Sequence, residues 1–188
     1  HNYVMKKYGY DERKLSDIKK LAGRGSKVML AKSIHEINEV SGKEKKPDDI
    51  IDDMTKEFID FYSKNIVKES TLKNGLINFL SWCKKNSILM GVCTNKQENL
   101  SIDLLKKIKI FHFFDYVAGG NTFNYNKPNP KHLTDTIEII GGDSKKSLMV
   151  GDSETDSNAS KAANIPFILL RDGYTEKKEN EIYHDYLI

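Results

Sequence analysis

Apolar residues recur every three or four positions through the first third of the chain, as they do on one face of a helix. The residues with this spacing are Leu30, Ile34, Ile37, Ile51, Met54, Phe58 and Phe61. The charged stretch 41–47 lies between the two groups and has the composition of a connection. No strand-type alternation interrupts the region, so the first third is predicted to be helical.

From Thr71 onward, helical and strand-like segments alternate. The strand candidates are the apolar runs 88–93, 116–118, 147–150 and 167–170. Nearly continuous apolar strands between helices predict a parallel sheet covered on both faces, with ligands at the carboxyl ends of the strands. We therefore predict an α/β protein: a helical domain over residues 1–68 and a doubly wound, Rossmann-like parallel sheet over 69–188. Phe79 and Trp82 are expected in its core.

Composition narrows the class of protein. The chain has 188 residues, enough for one domain with a smaller insertion. Its 30 basic and 27 acidic side chains nearly balance and are spread along the chain, which gives no support to nucleic-acid binding. Cys83 and Cys93 are too few for a disulfide framework. No apolar run reaches the ~20 residues that span a bilayer. A cytoplasmic protein without a membrane partner is the expectation.

Two carboxylates follow the strand candidate that ends at Val150. Asp152 and Asp156 lie in the segment Gly-Asp-Ser-Glu-Thr-Asp, where a strand would turn into a helix. Carboxylate oxygens at such a turn are ligands that Mg²⁺ accepts. The same spacing also fits a structural alternative, in which acidic residues favour the positive end of a helix.

A hydroxyl follows the strand candidate at 88–93. Thr94 comes directly before a predicted helix, where its side chain and neighbouring backbone N–H groups would face an anion such as a phosphoryl group. Asn95 is next in sequence and could bond either a phosphate or the loop itself. The alternative is that Thr94 only caps the helix.

A lysine stands in the segment Asn-Lys-Pro-Asn-Pro. Pro128 and Pro130 stiffen the backbone around Lys127, so its ammonium group would be held just before the next helix. A positioned cation neutralises a nucleophile and phosphoryl oxygens. The alternative for one lysine among many is a solvated loop residue.

Together, the segments around Thr94, Lys127 and Asp152 resemble, in order and spacing, the later motifs of the haloacid dehalogenase-like phosphohydrolases. Within that superfamily the chain is similar to phosphoglycolate-phosphatase-like enzymes with a helical cap. The resemblance implies that Thr94 binds the phosphoryl group, Lys127 pairs with the nucleophile and Asp152 binds Mg²⁺. It further implies that Asp156 orients Lys127 or the water shell of the metal.

The first motif of these enzymes has no counterpart here. The resemblance implies an Asp-x-Asp pair after a central strand, whose first aspartate forms an aspartyl-phosphate and whose second serves as general acid and base. No Asp-x-Asp occurs in the 188 residues. We therefore expect sequence ahead of His1 to supply this central strand and nucleophile, and the 188 residues alone to be inactive.

The function implied is hydrolysis of small anionic phosphomonoesters, with phosphoglycolate the first candidate and Mg²⁺ the cofactor. Arg24, between Gly23 and Gly25, could bind a substrate carboxylate or phosphate, or could be a surface residue in a glycine turn. Two other functions stay open. One is a phosphosugar mutase of the same superfamily, and the other is a non-catalytic protein that binds a phosphorylated ligand or a partner.

Overall fold

The computed structural model describes residues 1–41, 48–68 and 70–188. Two compact units divide the chain. The first comprises His1–Asn65 and Tyr174–Glu176, and the second Ile66–Gly173 and Lys177–Ile188. Apart from Ser41, the connection predicted at 41–47 lies outside the described residues, as does Glu69 at the predicted domain boundary.

The first unit is helical, as its apolar spacing predicts. Its helices are α1 (Asn2–Lys7), α2 (Leu15–Leu21), α3 (Ser26–Ser41) and α4 (Asp48–Lys64), with a 3₁₀ turn at Ala22–Arg24. Helices α3 and α4 pack on each other, and α1 packs on α4. Their shared core is formed by the buried residues Val4, Met5, Tyr10, Leu30, Ile34 and Met54.

The second unit alternates strands and helices. Its strands are β1 (Gly91–Cys93), β2 (Tyr116–Ala118), β3 (Met149–Gly151), β4 (Phe167–Leu169) and β5 (Tyr186–Leu187). Its helices are α5 (Leu76–Lys85), α6 (Glu98–Lys107), α7 (Lys131–Ile139) and α8 (Glu154–Ala162). Short 3₁₀ turns cover Phe111–Phe113, Ser144–Lys146 and Glu179–Glu181.

Every strand pairing in the described residues is parallel, which confirms the predicted class. The strands form two sheets, β1–β2 and β3–β4–β5. Gly91 is opposite Tyr116 in the first sheet, and Met149 is opposite Phe167 in the second. Strands β1 and β3 each have one neighbour among the described strands, so these strands form two sheets and not one. The central strand that the resemblance implies is expected ahead of His1, outside the 188 residues.

Helices α7 and α8 link the two sheets. Helix α7 packs against β1, β2 and α8, while α8 packs against β3 and β4. Between them lies a small core of Leu133, Ala159 and Ile165, on which Cys93 of β1 and Met149 of β3 both pack. This helical layer brings the carboxyl ends of β1 and β3 to the same region of the molecule.

Several local expectations differ from the structure. The strand predicted at 88–93 begins only at Gly91, because the Asp115 carboxylate accepts the Met90 N–H at 2.7 Å just before the pairing with β2 starts. Phe79 and Trp82, expected in the core, are 52% and 55% exposed. Helix α5 instead buries Leu80 and Cys83.

A search of the described helices for one long and apolar enough to cross a bilayer finds no candidate.

Candidate active site

Lys127 is held in the interior, just before α7. Its side chain is 7% exposed. The ammonium nitrogen lies 2.5 Å from Asp156 Oδ1 and donates to the carbonyl oxygen of Cys93, also at 2.5 Å. The sequence had left a solvated loop lysine open, and this burial removes that alternative. One cation thereby joins the end of β1 to the first turn of α8.

The backbone of Lys127 is fixed as firmly as its side chain. Its N–H donates to His132 Nδ1 at 3.2 Å, and its carbonyl accepts from Asn95 Nδ2 at 2.9 Å. The following peptide bond, Lys127–Pro128, is cis. The sequence allowed Asn95 to bond either a phosphate or the loop. In the structure its side-chain amide donates to the loop, at the Lys127 carbonyl.

Asp156 receives hydrogen bonds on the oxygen that does not face Lys127. Its Oδ2 accepts from Ser153 Oγ at 2.6 Å, from the Ser153 N–H at 3.1 Å and from the Asp152 N–H at 3.2 Å. Ser153 is the N-cap of α8, and with Asp156 it forms a capping box. The structural alternative and the contact with Lys127 therefore coexist, since the capped helix end holds the carboxylate that pairs with Lys127.

Gly151 makes room for that carboxylate. A Cβ atom on Gly151 would lie 2.6 Å from both Cβ and Cγ of Asp156, closer than real carbon atoms approach. The Gly-Asp-Ser segment thus needs glycine at its first position for packing.

Thr94 follows β1 and does not cap α6, whose N-cap is Gln97. The Thr94 N–H donates to the Ala118 carbonyl at 2.9 Å, extending the pairing with β2. Its Oγ1 accepts the Lys96 N–H at 3.2 Å, so the hydroxyl proton can be donated to an anion. The N–H of Glu98, at the start of α6, is bonded instead by Asn121 Oδ1 at 2.8 Å.

Asp152 lies at the turn between β3 and α8 and is partly exposed. Gly173 packs on its backbone, since a Cβ there would lie 1.9 Å from the Asp152 carbonyl oxygen. Among residues 1–41, 48–68 and 70–188, no three His, Cys, Asp or Glu side chains are grouped to hold a metal ion. One carboxylate ligand still fits Mg²⁺, which commonly binds through one or two carboxylates plus water and substrate phosphate.

Arg24 lies in the first unit. Its guanidinium is 3.8 Å from the carboxylate of Glu176, and its side chain is 45% exposed. Its assignment to substrate binding stays a prediction.

His132 is a site residue that sequence reasoning missed. The spacing of the histidines in the sequence gives no sign of a role for it, yet it is fully buried and bonds the Lys127 backbone. Burial and the positive charge of Lys127 lower the pKa of His132 to about 4. Burial likewise raises the pKa of the Cys93 thiol to about 11. Both groups are neutral near pH 7.

Comparison with known proteins places this arrangement in a family. The sequence profile of the haloacid dehalogenase-like hydrolases matches residues 1–170. The chain belongs to the haloacid dehalogenase-like hydrolase family. A relative named phosphoglycolate phosphatase, from Mesorhizobium japonicum, is 36% identical over 163 residues, which make up 87% of this chain and 70% of that protein.

A second relative agrees with this family membership, and a solved structure shows the same fold. A phosphoglycolate phosphatase from Agrobacterium fabrum is 32% identical over 187 residues, covering 100% of this chain and 78% of the relative. The crystal structure of a predicted phosphoglycolate phosphatase from Haemophilus somnus superimposes with a TM-score of 0.91 at 22% identity, over 99% of this chain and 83% of that one. The family predicted from three motifs and the predicted fold class are both confirmed.

Proposed function

We propose that this haloacid dehalogenase-like hydrolase is a Mg²⁺-dependent phosphatase of small anionic phosphomonoesters, with phosphoglycolate the first substrate to test. The observation that carries the proposal is the buried pair of Lys127 and Asp156, 2.5 Å apart at the carboxyl ends of β1 and β3. An ammonium group held there is available to neutralise phosphoryl oxygens in a site that excludes much of the water.

Thr94 supports the same chemistry. It directly follows Cys93, the last residue of β1. The Cys93 carbonyl accepts a hydrogen bond from the Lys127 ammonium. A hydroxyl that already accepts one backbone N–H has its proton free to orient a phosphoryl oxygen. We assign Thr94 to phosphate binding and Lys127 to charge neutralisation. Asp156 positions Lys127.

Asp152 is the proposed ligand of the metal. When bound, Mg²⁺ would supply positive charge that offsets the repulsion between an anionic nucleophile and the phosphate. The protein contributes the hard carboxylate of Asp152. The Asp152 backbone N–H donates to Asp156 Oδ2 at 3.2 Å. The side chains that hold the metal and Lys127 are therefore parts of one capped helix end.

The choice of phosphoglycolate rests on the relatives, two of which carry the name phosphoglycolate phosphatase at 36% and 32% identity. Arg24 is proposed to bind the substrate's anionic group. It belongs to the proposed helical cap, residues 1–68, and the proposed core comprises residues 69–188. The proposed compartment is the cytoplasm. We propose no role for nucleic acid or membrane.

The test is phosphate release by the protein expressed from its complete reading frame, because the nucleophilic aspartate implied by the family has no counterpart in the 188 residues. Phosphoglycolate and a panel of sugar phosphates are supplied with Mg²⁺, and EDTA serves as the control. Release of inorganic phosphate that EDTA abolishes is the expected result. Sugar-phosphate interconversion without release, followed by ³¹P NMR, would identify a mutase instead.

A matched pair of variants makes the test specific to the site. Asp152→Asn keeps the shape of the side chain but removes its charge, so a much higher Mg²⁺ concentration should be needed for half-maximal activity. Asp103→Asn removes a carboxylate that pairs with Lys107 on the surface of α6 and should leave the Mg²⁺ requirement unchanged. Equal Mg²⁺ dependence in the two variants would remove Asp152 from the metal site.

A further inference from the structure

His132 stands in an unusual relation to Lys127. It is the second residue of α7, it is fully buried, and its Nδ1 faces the Lys127 N–H at 3.2 Å. Backbone N–H groups at buried positions need an acceptor, and they usually find it in another backbone carbonyl. Here the acceptor is an imidazole from the helix that follows the loop.

The ring itself is held in place. The His132 carbonyl accepts from Thr136 Oγ1 at 2.6 Å, a bond within α7 that does not involve the ring. Phe123 packs edge-on to the ring, with centroids 5.7 Å apart and planes at 85°. A ring fixed in this way offers Nδ1 in one direction, toward the lysine loop.

The bond also fixes the protonation state of the ring. Nδ1 can accept from an N–H only when it carries no proton, so the imidazole is neutral with its hydrogen on Nε2. The charged groups acting on it are the Lys127 ammonium, which disfavours protonation, and the Asp135 carboxylate, which favours it together with the Gly119 backbone.

We propose that His132 is a positioning residue for the reaction: its Nδ1 fixes the backbone of Lys127, and so aims the ammonium group at Asp156 and at the substrate phosphate. The proposal rests on the proposed phosphatase function. Asn95 completes the arrangement by donating to the Lys127 carbonyl at 2.9 Å, so the two peptide groups that flank the Lys127 Cα are both bound. In this role His132 acts through Lys127 and not by touching the substrate.

Two substitutions separate this role from ordinary core packing. His132→Asn places its Oδ1 where Nδ1 lies and keeps an acceptor for Lys127. His132→Leu fills the space but leaves the Lys127 N–H without its acceptor. The matched control is Thr136→Val, which removes a buried hydrogen bond to the His132 carbonyl and leaves Nδ1 in place.

The expected result is a loss of kcat of about 10- to 100-fold in His132→Leu, as for a small misplacement of a reacting group. His132→Asn should restore most of that loss, and Thr136→Val should keep kcat within about twofold of wild type while lowering stability. If His132→Leu and Thr136→Val lose kcat equally, or if His132→Leu loses none, the positioning role is wrong.

A second measurement does not depend on turnover. In ¹H–¹⁵N spectra of the full protein, the Lys127 amide should shift strongly in His132→Leu and little in His132→Asn. An unmoved amide would show that the hydrogen bond is absent in solution, which overturns the proposal even in an active enzyme. A wild-type protein that hydrolyses no small phosphate, but whose Lys127 amide responds, would instead contradict the phosphatase function alone.

Discussion

Two lysine–aspartate pairs in this protein have the same length and opposite surroundings. Lys127 lies 2.5 Å from Asp156, and both side chains are 7% exposed. Lys27 lies 2.5 Å from Asp52, and these side chains are 60% and 63% exposed. The first pair links the loop before α7 to the first turn of α8, whereas the second bridges α3 and α4 in the helical unit.

The difference shows that distance alone does not identify a functional ion pair. At the surface, water and salt screen the attraction, and such a pair contributes little to stability. In the interior, removing two charges from water is costly unless further hydrogen bonds satisfy them. Lys127 and Asp156 have those bonds, from the Cys93 carbonyl and from Ser153. Because burying two charges is costly, the buried Lys127–Asp156 pair is a candidate for a chemical role.

Removing one lysine from each pair should separate them most clearly. Lys127→Met leaves Asp156 charged and buried, so the free energy of unfolding should fall by about 3–5 kcal/mol. Lys27→Met should change it by less than about 1 kcal/mol. Urea denaturation of the full protein measures both. Similar losses in the two variants would contradict the comparison.

A double variant sharpens this result. Replacing both members of the buried pair, Lys127→Met with Asp156→Leu, removes the stranded charge and should recover part of the lost stability. Activity should stay absent. Stability recovered without activity would assign the pair to chemistry rather than to folding.

Much of this site could be predicted from the sequence. Thr94 and Asp152 each follow an apolar strand, and the carboxyl ends of parallel strands share one edge. Lys127 is marked by the prolines around it. The order and spacing of these three segments were therefore enough to predict the site and the family.

Other parts of the site left no pattern in the sequence. The Cys93 carbonyl that binds Lys127 belongs to the backbone and has no side-chain signature. His132 is one of five histidines, and its role depends on a contact between the first turn of α7 and the Lys127 N–H in the preceding loop. Helical spacing also could not decide which face of α5 turns outward, so Phe79 and Trp82 were assigned to the core wrongly. The strand β5 has only two residues, too few for periodicity.

His132, which bonds the backbone of the buried Lys127, should impose a pH dependence on stability. The pKa of His132 is lowered from 6.5 to about 4, so the unfolded chain takes up a proton on this residue before the folded protein does. Its contribution to stability is complete above pH 6.5 and is lost as the pH falls toward 4, about 3 kcal/mol in all.

Unfolding free energies of wild type and His132→Asn, measured from pH 7 to pH 4, check this expectation. The difference between the two proteins should shrink as the pH falls. His112→Asn, at an exposed position of the same unit, is the control and should run parallel to wild type. A constant difference between wild type and His132→Asn would mean that the ring is not held neutral by its surroundings.

Crowding the Asp156 carboxylate should have a smaller effect. The Cβ atom of Gly151→Ala would lie 2.6 Å from Asp156 Cβ and Cγ, so the helix end must shift, at about 1–3 kcal/mol. A displaced Asp156 should also displace the Lys127 ammonium that pairs with it, so kcat should fall as well. Gly91→Ala on β1 is the control, because its Cβ would meet only the side-chain methyl of Thr136 at 3.1 Å and the Cδ1 of Ile140 at 3.6 Å. If Gly151→Ala and Gly91→Ala lower kcat equally, the packing of Asp156 does not determine the position of Lys127.

The smallest expected change concerns the serine that caps α8. Ser153→Ala removes the hydroxyl that donates to Asp156 Oδ2 at 2.6 Å, and loss of an N-cap costs about 1 kcal/mol. Ser160→Ala is a close match at the other end of the same helix, because Ser160 is also buried and its hydroxyl donates to the Ile165 carbonyl at 2.6 Å. Both variants should unfold at slightly lower urea concentration. Only Ser153→Ala should lower kcat, since its hydroxyl holds the partner of Lys127. An equal loss of kcat in both would mean that the stability of α8, and not the orientation of the buried pair, limits the reaction.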